Sequence, residues 1–279
     1  MTDTIMTIGG ERKLGCLPPT TFPCASDKTF GDAFPSDVFT LDKIRAELAG
    51  KVSMYGRREY FKGRKYVRDQ GPYGACNGWS TAGVLSRIRE LRGEPYVCLS
   101  GADAYSQMNG GRDDGSILAD GMKIVEANGI APEAMVPLNK IYDSQITREA
   151  KAARVRFKGF KAYPVDTEAE LGSALLLGRA AVVAVHVTNQ FNAQDGDGVN
   201  LGGNGVGNHS VGVHDIRVGK AGDLQFDMFN SWDISWGSGG YTWLTWEKHL
   251  KETVKYHRFW VLVSTGDDPG DGSTPPAAN

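Results

Sequence analysis

The chain has 279 residues, with 31 basic and 33 acidic side chains and a formal net charge of −2. That length allows one large domain or two small ones with a sizeable core, and the near-neutral balance argues against a polybasic nucleic-acid binder or an electrostatic membrane binder. Apolar (41%) and charged (23%) fractions are ordinary for a globular protein, whereas 36 glycines are nearly twice the usual share.

In chain order, residues 1–35 are rich in Pro, Thr and Gly with little periodicity and read as an N-terminal arm, an irregular extension on the surface. A sharper alternative makes the arm a tether or a partial plug of a cleft, with Cys16 and Cys24, eight positions apart, able to close a small loop. From Cys76, apolar Val84, Ile88 and Leu91 recur at helical spacing and Gly93 supplies a stop. A second helix is expected over Ile117–Asn128, ending at Gly129. A third opens at Thr167, whose Glu170 three positions on makes a capping box. Strands are then expected over Ala180–Thr188, His209–Val218, Leu224–Phe229, Tyr241–Trp246 and Phe259–Val263. Helices first and strands second predict an α+β fold with two lobes, the helical one over about 67–150 and the β one over about 151–265. Residues 266–279 read as a flexible tail. The 13-residue start MTDTIMTIGGERK lacks a basic-then-apolar leader pattern, and no apolar run is long enough for a membrane helix. With no C-x-x-C pair and no secreted disulfide pattern, the cysteines predict neither a zinc site nor a secreted framework, and a reducing, cytoplasmic compartment is expected.

A cysteine attacks as its thiolate, of which only ~3% exists at pH 7 for an unperturbed thiol. A helix N-terminus contributes under one pKa unit, so a histidine partner must do most of the activation. Cys76 is the best candidate: it follows the turn Gln70-Gly71-Pro72-Tyr73-Gly74-Ala75 and opens a helix, where backbone N–H groups face a developing anion. Cys98 reads as a packed thiol. His209 lies on a predicted strand, with Val211 and Val213 on its face and Ser210, Gly212 and His214 on the other. Asn230 ends the next strand, and its amide oxygen can fix the tautomer and orientation of an imidazole.

These three segments, DQGPYGAC, GNHSVG and NSWDISWGSGGY, resemble the signatures of the papain-like cysteine peptidases. The six-residue interval from Gln70 to Cys76, the 133 positions from Cys76 to His209, and the N-S-W, W-G and G-Y elements of Asn230–Tyr241 keep the family spacing. Leu99-Ser100 and Asn109-Gly110-Gly111 resemble a fourth segment, and the likeness covers roughly Val67 to Val263. It implies a papain-like two-lobe fold, with a helical lobe carrying Cys76 and an antiparallel β-barrel-like lobe within a peptidase domain of about residues 36–265. It also implies Cys76 as nucleophile, His209 as its acid/base partner, Asn230 orienting His209, and Gln70 in the oxyanion hole. Trp232 would shield the His–Asn bond, Gly110 and Gly111 would bind an extended substrate strand, and the Asn208 carbonyl would face the residue before the scissile bond. The implied reaction is peptide hydrolysis through a thioester, on a peptide or protein substrate in extended conformation, without cofactor or metal.

The chain departs from the family in four places. Asn77 follows the nucleophile in place of tryptophan, implying a smaller and more polar wall; Tyr73 and Met108 stand where a disulfide is usual. Arg112-Asp113-Asp114 form an acidic edge that hints at basic or polar groups in the substrate, or simply a solvated charge run. The segment before Val67 is shorter than the family's inhibitory pro-segment. The alternative function is a catalytically weak or inactive papain-fold module in a larger protein assembly, held through arm and tail; a transglutaminase, arylamine acyltransferase or cell-wall amidase ranks last. Twelve of the 36 glycines fall between Gly196 and Gly240 and flank His209 and Asn230, as expected of backbone room for a substrate strand.

Overall fold

The computed structural model describes residues 3–19, 28–56 and 66–267. The expected loop to Cys24 and most of the expected tail, from residue 268 on, lie outside them. The helices are α1 (Phe30–Ala33), α2 (Leu41–Leu48), α3 (Cys76–Leu91), α4 (Gly101–Ser106), α5 (Leu118–Ala127), α6 (Arg148–Ala153), α7 (Glu168–Leu176) and α8 (Thr253–Tyr256). The strands are β1 (Thr4–Thr7), β2 (Gly10–Lys13), β3 (Phe160–Val165), β4 (Ala181–Val185), β5 (His209–Val218), β6 (Leu224–Phe229), β7 (Tyr241–Thr245) and β8 (Phe259–Ser264). The helix starting at Cys76, the capping box of Thr167 and Glu170, and the bounds of β5 and β6 agree with the sequence reading.

Six strands form one antiparallel sheet in the order β3-β8-β4-β5-β6-β7. It stays open, with β3 and β7 as its edges, and does not close into a barrel. Its central strand β5 is buried over most of its length because α3 covers it: Ser80 Oγ and Ser210 Oγ meet at 2.6 Å in the buried contact. Glycines let α3 pack this closely. A Cβ on Gly78 would lie 2.5 Å from the Gly101 carbonyl oxygen of α4, and one on Gly83 would lie 2.4 Å from the Phe229 ring of β6. One large core runs through both lobes, and a smaller one gathers Trp79, Tyr105, Val136 and Ile141 in the helical lobe. Among the described residues no helix is long and apolar enough to cross a membrane, and no group of three His, Cys, Asp or Glu side chains could hold a metal ion.

The arm is not an irregular surface extension. Its first part is a hairpin, β1 paired antiparallel with β2 from Thr4↔Lys13 to Thr7↔Gly10. Gly10 takes a φ of 104°, a left-handed conformation that favours glycine. The signal was present as Ile8-Gly9-Gly10 between two short extended runs.

Candidate active site

Two elements, α3 and β5, pack against each other. The turn 71–75 delivers Cys76 to the first position of α3, and β5 begins at His209, so the thiol and the imidazole each sit where a rigid element starts. Both are fully buried. Asn230 follows the last residue of β6, and its Oδ1 lies 2.7 Å from His209 Nε2. His209 Nδ1 has no hydrogen-bond partner among the described residues. Trp232 stacks on the imidazole with ring centroids 4.4 Å apart and 28° between planes. Its indole is fully buried, which keeps water from the His209–Asn230 bond.

Gln70 is held from two sides, by Ser231 Oγ donating to its Oε1 at 2.6 Å and by its Nε2 donating to the Tyr73 carbonyl at 2.7 Å. The same Nε2 donates to the carbonyl of Lys13 at 3.2 Å. The arm therefore reaches Gln70, and Lys13–Leu17 bonds the groups around it one after another. The backbone of Gly15 lies close enough to favour the Cys76 thiolate, as do those of Ser210, Asn77 and Cys76 itself. Ser116 N–H donates to the Gly15 carbonyl at 2.9 Å, and Leu17 N–H donates to the Ser116 carbonyl at 3.0 Å. Cys16 N–H donates to the Asn208 carbonyl at 3.2 Å. Cys16 and Ser116 form a parallel bridge. The fit is tight: a Cβ on Gly15 would stand 1.8 Å from the Gly74 carbonyl oxygen, and one on Gly115, at φ 90°, would stand 2.4 Å from the Gly15 carbonyl oxygen.

This occupation sets the electrostatics. Burial pushes the Cys76 thiol up to about 11, against four nearby backbone groups that favour the thiolate. Burial pulls the His209 imidazole down to about 4, with its bond to Asn230 opposing. With the arm seated the pair is thus thiol and neutral imidazole. Cys16 is a free thiol, also pushed up by burial and by Cys76; its sulfur lies 3.8 Å from His257 Nδ1.

The structure brings His209, Asn230 and Trp232 into contact, and sets Gln70, Cys76 and Asn208 along the arm segment Lys13–Cys16. It does not bring Gly110 and Gly111 to the arm: they stand exposed at φ 59° and 80°, and Gly111 N–H bonds the Asn109 side chain. Main-chain pairing falls to Ser116 instead, which no motif had singled out. Asn77 corrects another expectation, because it is buried and does not present an open polar wall. Its Nδ2 donates to the Ile117 carbonyl at 2.7 Å and to Ser116 Oγ at 3.1 Å, so it positions the pairing segment. Tyr73 and Met108 pack against the smaller core, and the Cys98 sulfur accepts from the Arg68 guanidinium at 3.3 Å. The acidic edge splits: Arg112 and Asp114 pair with each other at 3.6 Å in solvent, whereas Asp113 turns inward.

The family model described as papain family cysteine protease matches residues 56–258. The chain is 28% identical over 180 residues to cysteine endopeptidase Rep1 of Oryza sativa subsp. japonica, covering 63% of this chain and 48% of that protein. It is 26% identical over 184 residues to chymomexicain of Jacaratia mexicana, covering 63% of this chain and 80% of that one. The chain thus spans about half the length of the rice relative. Among solved structures, xylellain, a cysteine protease from Xylella fastidiosa, superposes with a TM-score of 0.65 at 18% identity over 95% of this chain and 98% of that one. The ragweed pollen cysteine protease Amb a 11 in its proform gives 0.60 at 24% identity over 71% of this chain and 62% of that one. These likenesses agree with the two-lobed fold, and with the match over 56–258 the chain belongs to the papain family of cysteine proteases.

Proposed function

We propose that the protein is a cysteine endopeptidase that hydrolyses extended peptides through a Cys76 thioester, and that its arm holds it latent. The observation that carries this reading is the His209–Asn230 bond of 2.7 Å, at the start of a strand whose next residue, Ser210, has a backbone that favours the Cys76 thiolate. Asn230 fixes the ring so that Nδ1 is the nitrogen left to exchange a proton with the thiol. The Gln70 side chain, already donating to one peptide carbonyl, suits the oxyanion of an acyl-transfer step.

The arm uses the donors and acceptors a substrate strand needs: Lys13 and Gly15 offer carbonyls, and Cys16 and Leu17 offer N–H groups. Proforms among the structural neighbours support this latent reading. Once the arm leaves, water re-enters, desolvation falls, and thiolate and imidazolium become accessible near neutral pH.

The test is labelling of the full chain by an epoxide or vinyl-sulfone thiol probe at pH 5–8, with the adduct mapped by mass spectrometry. Labelling at Cys76, lost in Cys76→Ala, is expected together with hydrolysis of a peptide library. A chain that labels at Cys76 but cleaves no peptide would leave the fold a binding module.

A further inference from the structure

Two carboxylates border the cleft on either side of the turn that precedes Cys76, and they are built alike. Asp69 Oδ1 accepts the Gly71 N–H at 2.8 Å, which leaves Oδ2 for the Arg12 guanidinium at 2.8 Å. Asp113 Oδ1 accepts the Gly74 N–H at 2.8 Å and the Tyr105 hydroxyl at 3.0 Å, which leaves Oδ2 for the Lys13 ammonium at 3.1 Å. In each case the protein fixes one oxygen and aims the other at a cation. The Lys13 ammonium also donates to the Asp113 main-chain carbonyl. Asp113 is shielded, with 19% side-chain exposure, and Asp69 is partly exposed at 36%, against 72% for the neighbouring Asp114.

Arg12 and Lys13 are consecutive residues at the end of β2. An extended strand sends consecutive side chains to opposite sides, so one adjacent basic pair reaches both acids. The carbonyl of the same Lys13 takes the Gln70 Nε2 hydrogen bond. The basic pair is therefore read by the same wall that would hold the reacting peptide.

We propose that Asp69 and Asp113 are specificity-determining residues, giving the cleft a preference for peptides that carry two adjacent basic residues. This rests on the peptidase reading for its substrate but on the arm's own seating for its chemistry. When the arm leaves, two pre-oriented carboxylates lose their cations, and an incoming basic pair restores both charge-assisted bonds. Little ordering remains for the protein, because backbone N–H groups already hold each acid.

The experiment uses the full chain as Cys76→Ala and fluorescein-labelled nonapeptides binding by anisotropy at 150 mM salt, with Arg-Lys, Arg-Gln, Gln-Lys or Gln-Gln at the centre. The arm competes equally with all four, so the ratio of their Kd values is independent of how often the cleft is open. Arg-Lys is expected to bind roughly 100-fold tighter than Gln-Gln, about tenfold or 1.4 kcal/mol for each basic residue. In Asp69→Asn/Asp113→Asn the ratio is expected to fall below about threefold, on the same scale. Arg-Lys and Gln-Gln binding within about twofold of each other overturns the proposal, and the peptide series gives that answer even where the double variant does not fold. An undiminished ratio in a folded double variant overturns it too. If the ratio is present while wild-type protein cleaves none of the peptides, the peptidase reading fails and the acidic subsites stand.

Discussion

Replacing Gly15 by alanine should unseat the arm and expose the nucleophile. A Cβ at this position would stand 1.8 Å from the Gly74 carbonyl oxygen, 2.3 Å from its carbon and 2.7 Å from its Cα. All three are backbone atoms of the turn that carries Cys76, so no side-chain rotation relieves the clash. The arm must move instead, and four hydrogen bonds go with it: Gln70 to Lys13, Ser116 to Gly15, Cys16 to Asn208 and Leu17 to Ser116. At ~0.5–1.5 kcal/mol each, net of water, their loss is worth about 2–6 kcal/mol. Even the lower figure raises the open fraction roughly 30-fold. Cys76 reacts from the open form, since its thiol near 11 in the closed form leaves about one thiolate in 10,000 at pH 7. The assay is the iodoacetamide alkylation rate of Cys76, read by peptide mass spectrometry, with Gly196→Ala as control because a Cβ there meets nothing within 4 Å. Alkylation of Gly15→Ala at the wild-type rate, in a protein that melts normally, would refute the idea that the arm seals the site.

Asn230→Ala removes the acceptor 2.7 Å from His209 Nε2 and leaves a buried N–H unpaired, at a cost of ~1–3 kcal/mol. Peptide hydrolysis is expected to fall at least tenfold in kcat, read alongside the melting temperature, with Asn230→Asp retaining more activity because it keeps an acceptor. The histidines make the fold acid-labile: burial holds His209 and His249 at about 4, against 6.5 for a free imidazole. Between pH 6.5 and 4 the unfolded chain takes up protons that the folded chain refuses. Stability present above 6.5 is therefore lost as pH falls through 4, by up to about 3 kcal/mol per histidine. Urea midpoints at pH 7.5 and 4.5 measure it, and equal midpoints would contradict it. Gly78→Ala drives a methyl to 2.5 Å from the Gly101 carbonyl oxygen and should destabilise by ~1–3 kcal/mol in thermal melts.

The expectations that agree with the structure are the local ones. Val84, Ile88 and Leu91 mark α3 by their own spacing, and the alternation from His209 marks β5, because helix and strand periods are written in neighbouring residues. The Cys76, His209 and Asn230 positions stood out for a related reason: each falls at the boundary of an element, and Gln70 opens the turn-rich run that leads to Cys76. Asp113 was legible only as a charge in a run of charges. Its inward turn depends on Gly74 and Tyr105, neither of which is a sequence neighbour.

The sequence by itself thus determined the family, the two-lobe α+β plan and the chemical identity of the candidate catalytic groups. The tertiary structure decided whether that chemistry is exposed. Gly15 sits 61 positions before Cys76, and Ser116 lies 100 positions after Cys16. No local period links them, and the closure of the site is a product of pairing between distant backbones. In that pairing the arm is held by Ser116 and not by Gly110 or Gly111. A backbone N–H and C=O are carried by every residue alike, and only the folded chain decides which of them face the cleft.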